Sequence, residues 1–166
     1  MKLKKYFLLF VFTLLTVCLT NKANSQVMIN EYSCSNIATA TDNFSNTPDW
    51  IELYNAAASP ANIGGYYLTD KISNLTKWAF PAGTTISANG FLRVWASAAN
   101  TVVGTNIHTN FKLTQTKPEA LAFSTPGGVV IDSMTLKPNL TDHSRGRTTN
   151  GAATWGVFTT PHTRSI

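Results

Sequence analysis

Four acidic residues are the first candidates for chemistry in this sequence, because carboxylates can bind a hard cation or act in hydrolysis. Calcium takes about six to eight oxygen ligands from carboxylates, amides and backbone carbonyls. Glycoside hydrolysis needs two carboxyl groups facing each other across a cleft. The simpler alternative is that Glu31 and Glu52 bond backbone amides or pair with arginine or lysine. The candidate calcium ligands are Glu31, Asp49, Glu52 and Asp70.

The histidines form no recognisable metal or catalytic motif. His108 and His162 are isolated, and neither CxxC nor HExxH spacing occurs. Asp142, His143 and Ser144 have the residue types of a catalytic triad, but neighbouring side chains in an extended segment point to opposite faces. A triad needs its base within hydrogen-bonding reach of the nucleophile. We therefore predict no catalytic residue.

Four aromatic residues are candidates for a binding surface. In the segment around residue 51, Ile51 and Leu53 share one face, and the aromatic residues lie on the other. An exposed aromatic row could stack on sugars or anchor a protein partner. The alternative is that these rings cover a second layer or the ends of the fold. The four residues are Trp50, Tyr54, Phe91 and Trp95.

Short β-strands must position these residues, because no segment after residue 25 has apolar residues at helical spacing over several turns. Runs rich in β-branched and aromatic residues alternate with turn residues, which is typical of a sandwich or barrel. Pro126-Gly127-Gly128 predicts an antiparallel hairpin, and the polar segment Ser35–Thr47 predicts an exposed loop. The predicted strands are Val27–Ser33, Asp49–Asn55, Tyr66–Asp70, Thr76–Phe80, Phe91–Ala96, Thr109–Leu113, Ala120–Ser124, Val129–Leu136 and a weaker Trp155–Phe158.

The first 25 residues have the pattern of a signal peptide. A lysine-rich start precedes the apolar run Tyr6–Leu19, and small residues stand at Ala23 and Ser25. We predict cleavage between Ser25 and Gln26 and a secreted or cell-surface location. The apolar run is shorter than the roughly 20 residues that span a bilayer, so no transmembrane anchor is predicted.

Two cysteines bear on this interpretation. Lipidation at Cys18 is an alternative to plain export, but Val17 is larger than the small residue that such a site requires. After cleavage, Cys34 is the remaining cysteine, so no intramolecular disulfide can form. We expect Cys34 to behave as a small, partly buried apolar residue.

The charge of the mature chain is nearly balanced. Four of the thirteen basic residues lie in the leader, which leaves nine against eight acidic residues. This balance argues against nucleic acid or an anionic membrane as the partner. The four basic residues of the leader are Lys2, Lys4, Lys5 and Lys22.

Nine segments follow one another in an order that is specific as a set. They are Val27–Glu31, Asp49–Asn55, Gly65–Asp70, Lys77–Pro81, Gly83–Ile86, Gly90–Leu92, His108–Leu113, Val130–Ser133 and Ser144–Arg147. Together they resemble a lamin tail domain of the secreted bacterial type. The resemblance implies one immunoglobulin-like, antiparallel β-sandwich over residues 26–161, of about eight or nine short strands. Residues 162–166 form a short tail that departs from the Pro-Gly-containing ending usual in the family, which leaves a truncated longer protein as an open alternative.

The resemblance also implies a non-catalytic module, because in bacteria such domains accompany exported hydrolases and cell-surface proteins as binding or targeting parts. Fold similarity does not transfer a ligand. We predict a secreted interaction module that binds a surface polysaccharide or a protein, with no cofactor apart from a candidate calcium ion. The alternatives are a small exported hydrolase that uses loop carboxylates with calcium, and a self-associating surface protein. The sequence leaves the oligomeric state open.

Overall fold

A computed structural model describes residues 27–116 and 119–159, and these residues form thirteen β-strands. No described residue is helical, so no described segment qualifies as a membrane-crossing helix. The predicted signal peptide, the tail after residue 161 and His162 lie outside the described residues. The strands are β1 (Val27–Ser33), β2 (Asp49–Asn55), β3 (Ala61–Asn62), β4 (Tyr67–Thr69), β5 (Trp78–Ala79), β6 (Thr85–Ile86), β7 (Phe91–Ala96), β8 (Val102–Val103), β9 (Asn106–His108), β10 (Ala120–Ser124), β11 (Val130–Thr135), β12 (Ser144–Arg147) and β13 (Trp155–Phe158).

Two sheets enclose one core. The larger has the order β13-β12-β1-β2-β7-β9-β8, and the smaller has the order β11-β10-β4-β5. All their strand pairs are antiparallel except β7 with β9, which are parallel. A separate two-stranded sheet pairs β3 with β6. The predicted all-β, immunoglobulin-like sandwich is confirmed.

The core forms because alternate residues of facing strands are apolar. Ile51 and Val94 of the larger sheet lie in the same buried cluster as Leu68, Leu121 and Phe123 of the smaller sheet. Burying each such side chain stabilises the fold by roughly 1.5–3 kcal/mol. The face of β2 that carries Ile51 and Leu53 therefore packs into the core. Cys34 is a buried free thiol at the edge of this core.

A β-bulge in β1 sets which residues face the core. The register pairs Ile29 with Leu53 and then Glu31 with Glu52, so Asn30 is the extra residue. Before the bulge Ile29 points into the core, and after it Glu31 points to the outer face of the larger sheet. The bulge thus turns the acidic side chain of Glu31 to the outer face, whereas uninterrupted alternation would have turned it into the apolar core.

Strand prediction succeeded for most of the longer strands and failed for most of the short ones. Five strands, β1, β2, β7, β10 and β13, have the predicted bounds, and three others are shorter than predicted. The prediction of a strand at Thr109–Leu113 is wrong, because the strand is β9 and ends at His108. The fold has more than eight or nine strands because β3, β6, β8 and β12 are short and lack a continuous apolar pattern.

The turns follow from glycine and asparagine chemistry. The predicted hairpin between β10 and β11 is confirmed: Gly128 has φ 75°, and the N–H of Thr125 donates to the carbonyl of Val129 at 2.9 Å. In the turn at Asn89-Gly90 the residue with positive φ is Asn89, at 51°. Gly90 is required there for space, since a Cβ would lie 2.9 Å from the carbonyl oxygen of Ser87.

Replacing Gly146 with alanine tests the close packing of β12 on β1. A Cβ at residue 146 would lie 2.9 Å from Cγ of Glu31 and 3.1 Å from the carbonyl oxygen of Asn30. We expect Gly146→Ala to lower the free energy of unfolding by about 1–3 kcal/mol, measured by urea denaturation. Gly127→Ala is the matched control, because a Cβ there meets its nearest neighbour, Oγ1 of Thr125, at 3.7 Å. Equal decreases in the free energy of unfolding in both variants would contradict the close packing of β12 on β1.

Candidate functional site

A row of charged residues crosses the outer face of the larger sheet. Glu31 of β1 lies opposite Glu52 of β2, which lies opposite Arg93 of β7. Both carboxylates are buried. Oγ of Ser144 donates to Glu31 at 2.5 Å, and Nδ2 of Asn30 donates to Glu52 at 3.1 Å. Burial lowers the pKa of Arg93, and the charges of Glu52 and Glu31 oppose this shift. The row is a buried polar layer rather than an open site.

The four predicted aromatic residues lie on this same face, but the exposed arrangement is wrong for Trp50 and Trp95, for which the alternative of covered rings holds. Trp50 and Trp95 are 0% and 4% exposed and are buried with Ala40 of the loop between β1 and β2. Tyr54 and Phe91 are partly exposed, and their rings pack against each other in a tilted arrangement at 4.9 Å between centroids. The face is covered because a loop folds back over the two tryptophans, which strand alternation alone does not predict. Their role in binding stays a prediction.

The guanidinium of Arg93 links the tryptophans to the charged row. Its Cζ atom lies 5.3 Å from the ring centroid of Trp50 and 5.4 Å from that of Trp95. A cation within about 6 Å of an aromatic face is attracted by the quadrupole of the ring. Arg93 therefore interacts with the two tryptophans as well as with the charges of Glu52 and Glu31.

The four candidate calcium ligands do not form one site. Glu31 and Glu52 are neighbours in the buried row. Asp70 lies elsewhere and forms an ion pair with Lys77. Asp49, the first residue of β2, lines a separate cleft. Among the described residues, no group of three or more histidine, cysteine, aspartate or glutamate side chains is placed to hold a metal ion. The four carboxylates therefore do not make up one calcium site in the part of the chain that the structure describes, and calcium binding itself stays a prediction.

Asp142, His143 and Ser144 also separate in the structure. Ser144 binds Glu31, whereas the carboxylate of Asp142 accepts the N–H groups of Ile37 and Ala38 at 2.7 and 2.8 Å. Nδ1 of His143 contacts a neighbouring carbonyl of its own loop. These three residues position a strand and a loop and do not converge on a substrate.

The loop between β1 and β2 (residues 34–48, called the β1–β2 loop) is held by buried polar groups. Asn36 bonds the carbonyl groups of Ala40 and Pro48 and the N–H of Ala40, and Oδ1 of Asp42 accepts the N–H groups of Phe44 and Asn46 at 2.9 Å. The predicted exposure of this loop is wrong for Asn36, Ala40 and Asp42, which are buried. It holds for Ile37 and Phe44, which are 63% and 51% exposed.

His108 fixes the β1–β2 loop to the end of β9. The side chain is buried, and its Nε2 lies 2.8 Å from Oδ1 of Asn43 while its Nδ1 lies 3.0 Å from Oγ of Ser97. Burial lowers the pKa of His108, which favours the neutral ring. A neutral ring donates from Nε2 to Asn43 and accepts at Nδ1 from Ser97. The ring of Phe44 packs against it at 5.4 Å between centroids.

An open cleft of about 480 Å³ lies between the β1–β2 loop and the segments that follow β7 and β9. Asp49 and Lys112 both line it. Burial raises the pKa of Asp49 to about 6, although the N–H of Asn36, 3.1 Å away, and the charge of Lys112 oppose the shift. The other lining residues are Asp42, Phe44, Asn46, Thr47, Pro48, Ala96, Ser97, Ala99 and His108. The sequence missed this cleft because its walls come from loops distant in the chain.

The family model described as Lamin Tail Domain matches residues 20–138, well over half of the chain. The chain belongs to this family. No curated protein matches it at a significant level. The match begins inside the segment predicted as a signal peptide and ends before β12. In this lamin tail domain, β12 nevertheless supplies Ser144 to the buried row.

The raised pKa of Asp49 gives this lamin tail domain a defined dependence of stability on pH. The folded state holds the proton more tightly than the unfolded chain, whose aspartate pKa is about 4. Ionised Asp49 therefore destabilises the fold above pH 6, and this cost disappears as the pH falls to 4. We expect Asp49→Asn to raise the free energy of unfolding by about 1 kcal/mol at pH 8, discounted for partial exposure, and to have no effect near pH 4.

Asp142→Asn is the control, because the pKa of Asp142 is shifted in the opposite direction to that of Asp49. Hydrogen bonds from the N–H groups of Ile37 and Ala38 lower the pKa of Asp142. Its stabilisation is present above the pKa of the unfolded state and is lost as the pH falls through that of the folded state. Urea denaturation from pH 4 to 8 should show Asp142→Asn less stable than the parent at pH 8. A pH-independent gain for Asp49→Asn would refute a destabilising charge at that position.

Proposed function

We propose that this lamin tail domain is an exported, non-catalytic interaction module that binds a polysaccharide or protein partner at the cell surface. One observation carries the proposal. The β1–β2 loop is fixed by buried hydrogen bonds and yet displays Ile37 and Phe44 to solvent. Binding surfaces are disproportionately found on loops that a rigid scaffold positions.

A loop that is already ordered binds at a lower entropic cost. Ordering loops and side chains on association costs about 0.5–1.5 kcal/mol for each immobilised side chain. Asp142 holds the backbone of Ile37, and Leu140, two residues from Asp142, is itself exposed. Ile37 and Leu140 thus belong to two loops joined by hydrogen bonds. Large apolar side chains displayed on fixed loops support a docking role.

Export is supported by the leader and not by the fold. The lysine-rich start, the apolar run and the small residues before Gln26 have the order that signal peptidase requires. The nearly balanced charge of residues 26–166 supports a partner other than nucleic acid.

A second candidate function is hydrolysis at Ser97. Ser97, His108 and Asn43 form a hydrogen-bonded chain with the order of nucleophile, base and orienting group. Acyl transfer also needs donors aimed at the developing oxyanion. The N–H of Ala98 is bonded to the carbonyl of Phe111, and the N–H of Ala99 donates to Ser97 itself. Because those donors are already engaged, they cannot stabilise an oxyanion. We therefore favour a structural role for the hydrogen bonds among Ser97, His108 and Asn43, which fix the β1–β2 loop.

Saturable binding of the purified, processed protein to the isolated cell envelope of its source organism tests the proposal. We expect Ile37→Ser to weaken binding about fivefold to tenfold, because truncation of a buried interface contact costs about 1–1.4 kcal/mol. Val129→Ser is the matched control, since Val129 on the β10–β11 turn is 65% exposed. It should bind like the parent.

Two results would count against the proposal. The absence of saturable binding to any envelope fraction would remove the module hypothesis, and equal losses in both variants would show that the β1–β2 loop is not the docking surface. Turnover of an activated ester that Ser97→Ala abolishes would favour the hydrolase instead.

A further inference from the structure

We propose that the cleft beside Phe44 binds a sugar residue of a polysaccharide. This inference rests on the proposed function and names both the site and the class of partner. The cleft is open and has a volume of about 480 Å³. The β1–β2 loop forms one wall, and residues after β7 and β9, including Ala99 and Lys112, form the other.

Phe44 supplies an aromatic platform of fixed orientation. Its N–H is bonded to Asp42, and its ring rests on His108 at 5.4 Å between centroids. His108 is itself held by Ser97 and Asn43. The ring is therefore supported on one side while 51% of the residue remains exposed. The electron-rich face of an aromatic ring attracts the polarised C–H groups on the less polar face of a pyranose.

The polar groups of the cleft suit hydroxyl groups, which both donate and accept hydrogen bonds. Asp49 offers a carboxylate and Lys112 an ammonium group, and no ion pair or hydrogen bond joins these two described side chains. Asn46 and Thr47 add neutral donors and acceptors. A ligand with adjacent hydroxyls can bond several of these groups at once.

The same lining disfavours other classes of ligand. The apolar members are Phe44, Pro48, Ala96 and Ala99, so a peptide would find no large aliphatic side chain to pack on. Asp42 and Asp49 outnumber Lys112, so a polyanion such as nucleic acid would meet net repulsion. A neutral polysaccharide fits the aromatic platform and the mixed polar groups together.

Isothermal titration calorimetry of the purified, processed protein with soluble polysaccharides tests the inference. The probes are a β-glucan, a xylan and oligomers of N-acetylglucosamine. We expect at least one probe to bind, Phe44→Ala to weaken it at least tenfold, and Phe44→Trp to retain it. Lys112→Gln should weaken binding severalfold, and it is a second variant at an exposed position that leaves the core untouched. Val129→Ala, on the distant β10–β11 turn, is the control and should bind like the parent.

Asp49→Asn gives a readout that a purely structural role would not produce. The variant should bind the saccharide more weakly, although it is expected to be more stable than the parent at pH 8. For the parent, affinity should fall as the pH is lowered through 6, where the carboxylate of Asp49 becomes protonated. The other titratable groups of the cleft are Asp42, His108 and Lys112. A Phe44→Ala variant with parental affinity would overturn the inference.

Treating the envelope fraction separates failure of this inference from failure of the proposed function. Binding that periodate oxidation of the envelope abolishes, and protease treatment spares, supports a polysaccharide. Binding that protease abolishes, with no soluble saccharide bound, overturns the polysaccharide inference and leaves the interaction module standing. No saturable binding to the untreated envelope overturns both.

Discussion

The buried row of Glu31, Glu52 and Arg93 is the constraint on which the rest of the larger sheet depends. Two carboxyl groups side by side in a buried layer lose their hydration, so the layer is stable only if hydrogen bonds and a cation offset this cost. Asn30 and Ser144 supply such hydrogen bonds. The row crosses β1, β2 and β7 and is met by β12, so one polar layer sets the alignment of four strands.

This layer also specifies register. A slip of one residue in β2 would turn Glu52 toward the apolar core and Leu53 toward the outer face. The bulge at Asn30 is the local adjustment that lets β1 contribute Ile29 to one face and Glu31 to the other. The β1–β2 loop covers the tryptophans beside the row and is in turn fixed by His108. The charged layer thus supports the tryptophans, and the tryptophans support the β1–β2 loop that forms one wall of the cleft beside Phe44.

The sequence predicted what depends on local pattern. Strands with clear alternation, such as Asp49–Asn55 and Phe91–Ala96, have their predicted bounds, and the family resemblance is confirmed. The bulge at Asn30 could not be predicted, because period-two alternation assigns Glu31 to the same face as Ile29. The sequence offered burial of Trp50 as an alternative but could not show what covers it, because Ala40 reaches the tryptophan only after the loop folds back. The cleft joins residues 42–49 with 96–112, and spacing carries no signal for such a contact.

The pairing of β1 with β12 has a consequence for how the chain folds. Ser144 and Glu31 are 113 residues apart, and the first long strand is flanked on one side by one of the last. Sheets closed by such distant pairings fold slowly, because the loop entropy must be lost before the contact forms. The larger sheet therefore acquires its full set of strand pairs only after β12, near the end of the described residues, is available.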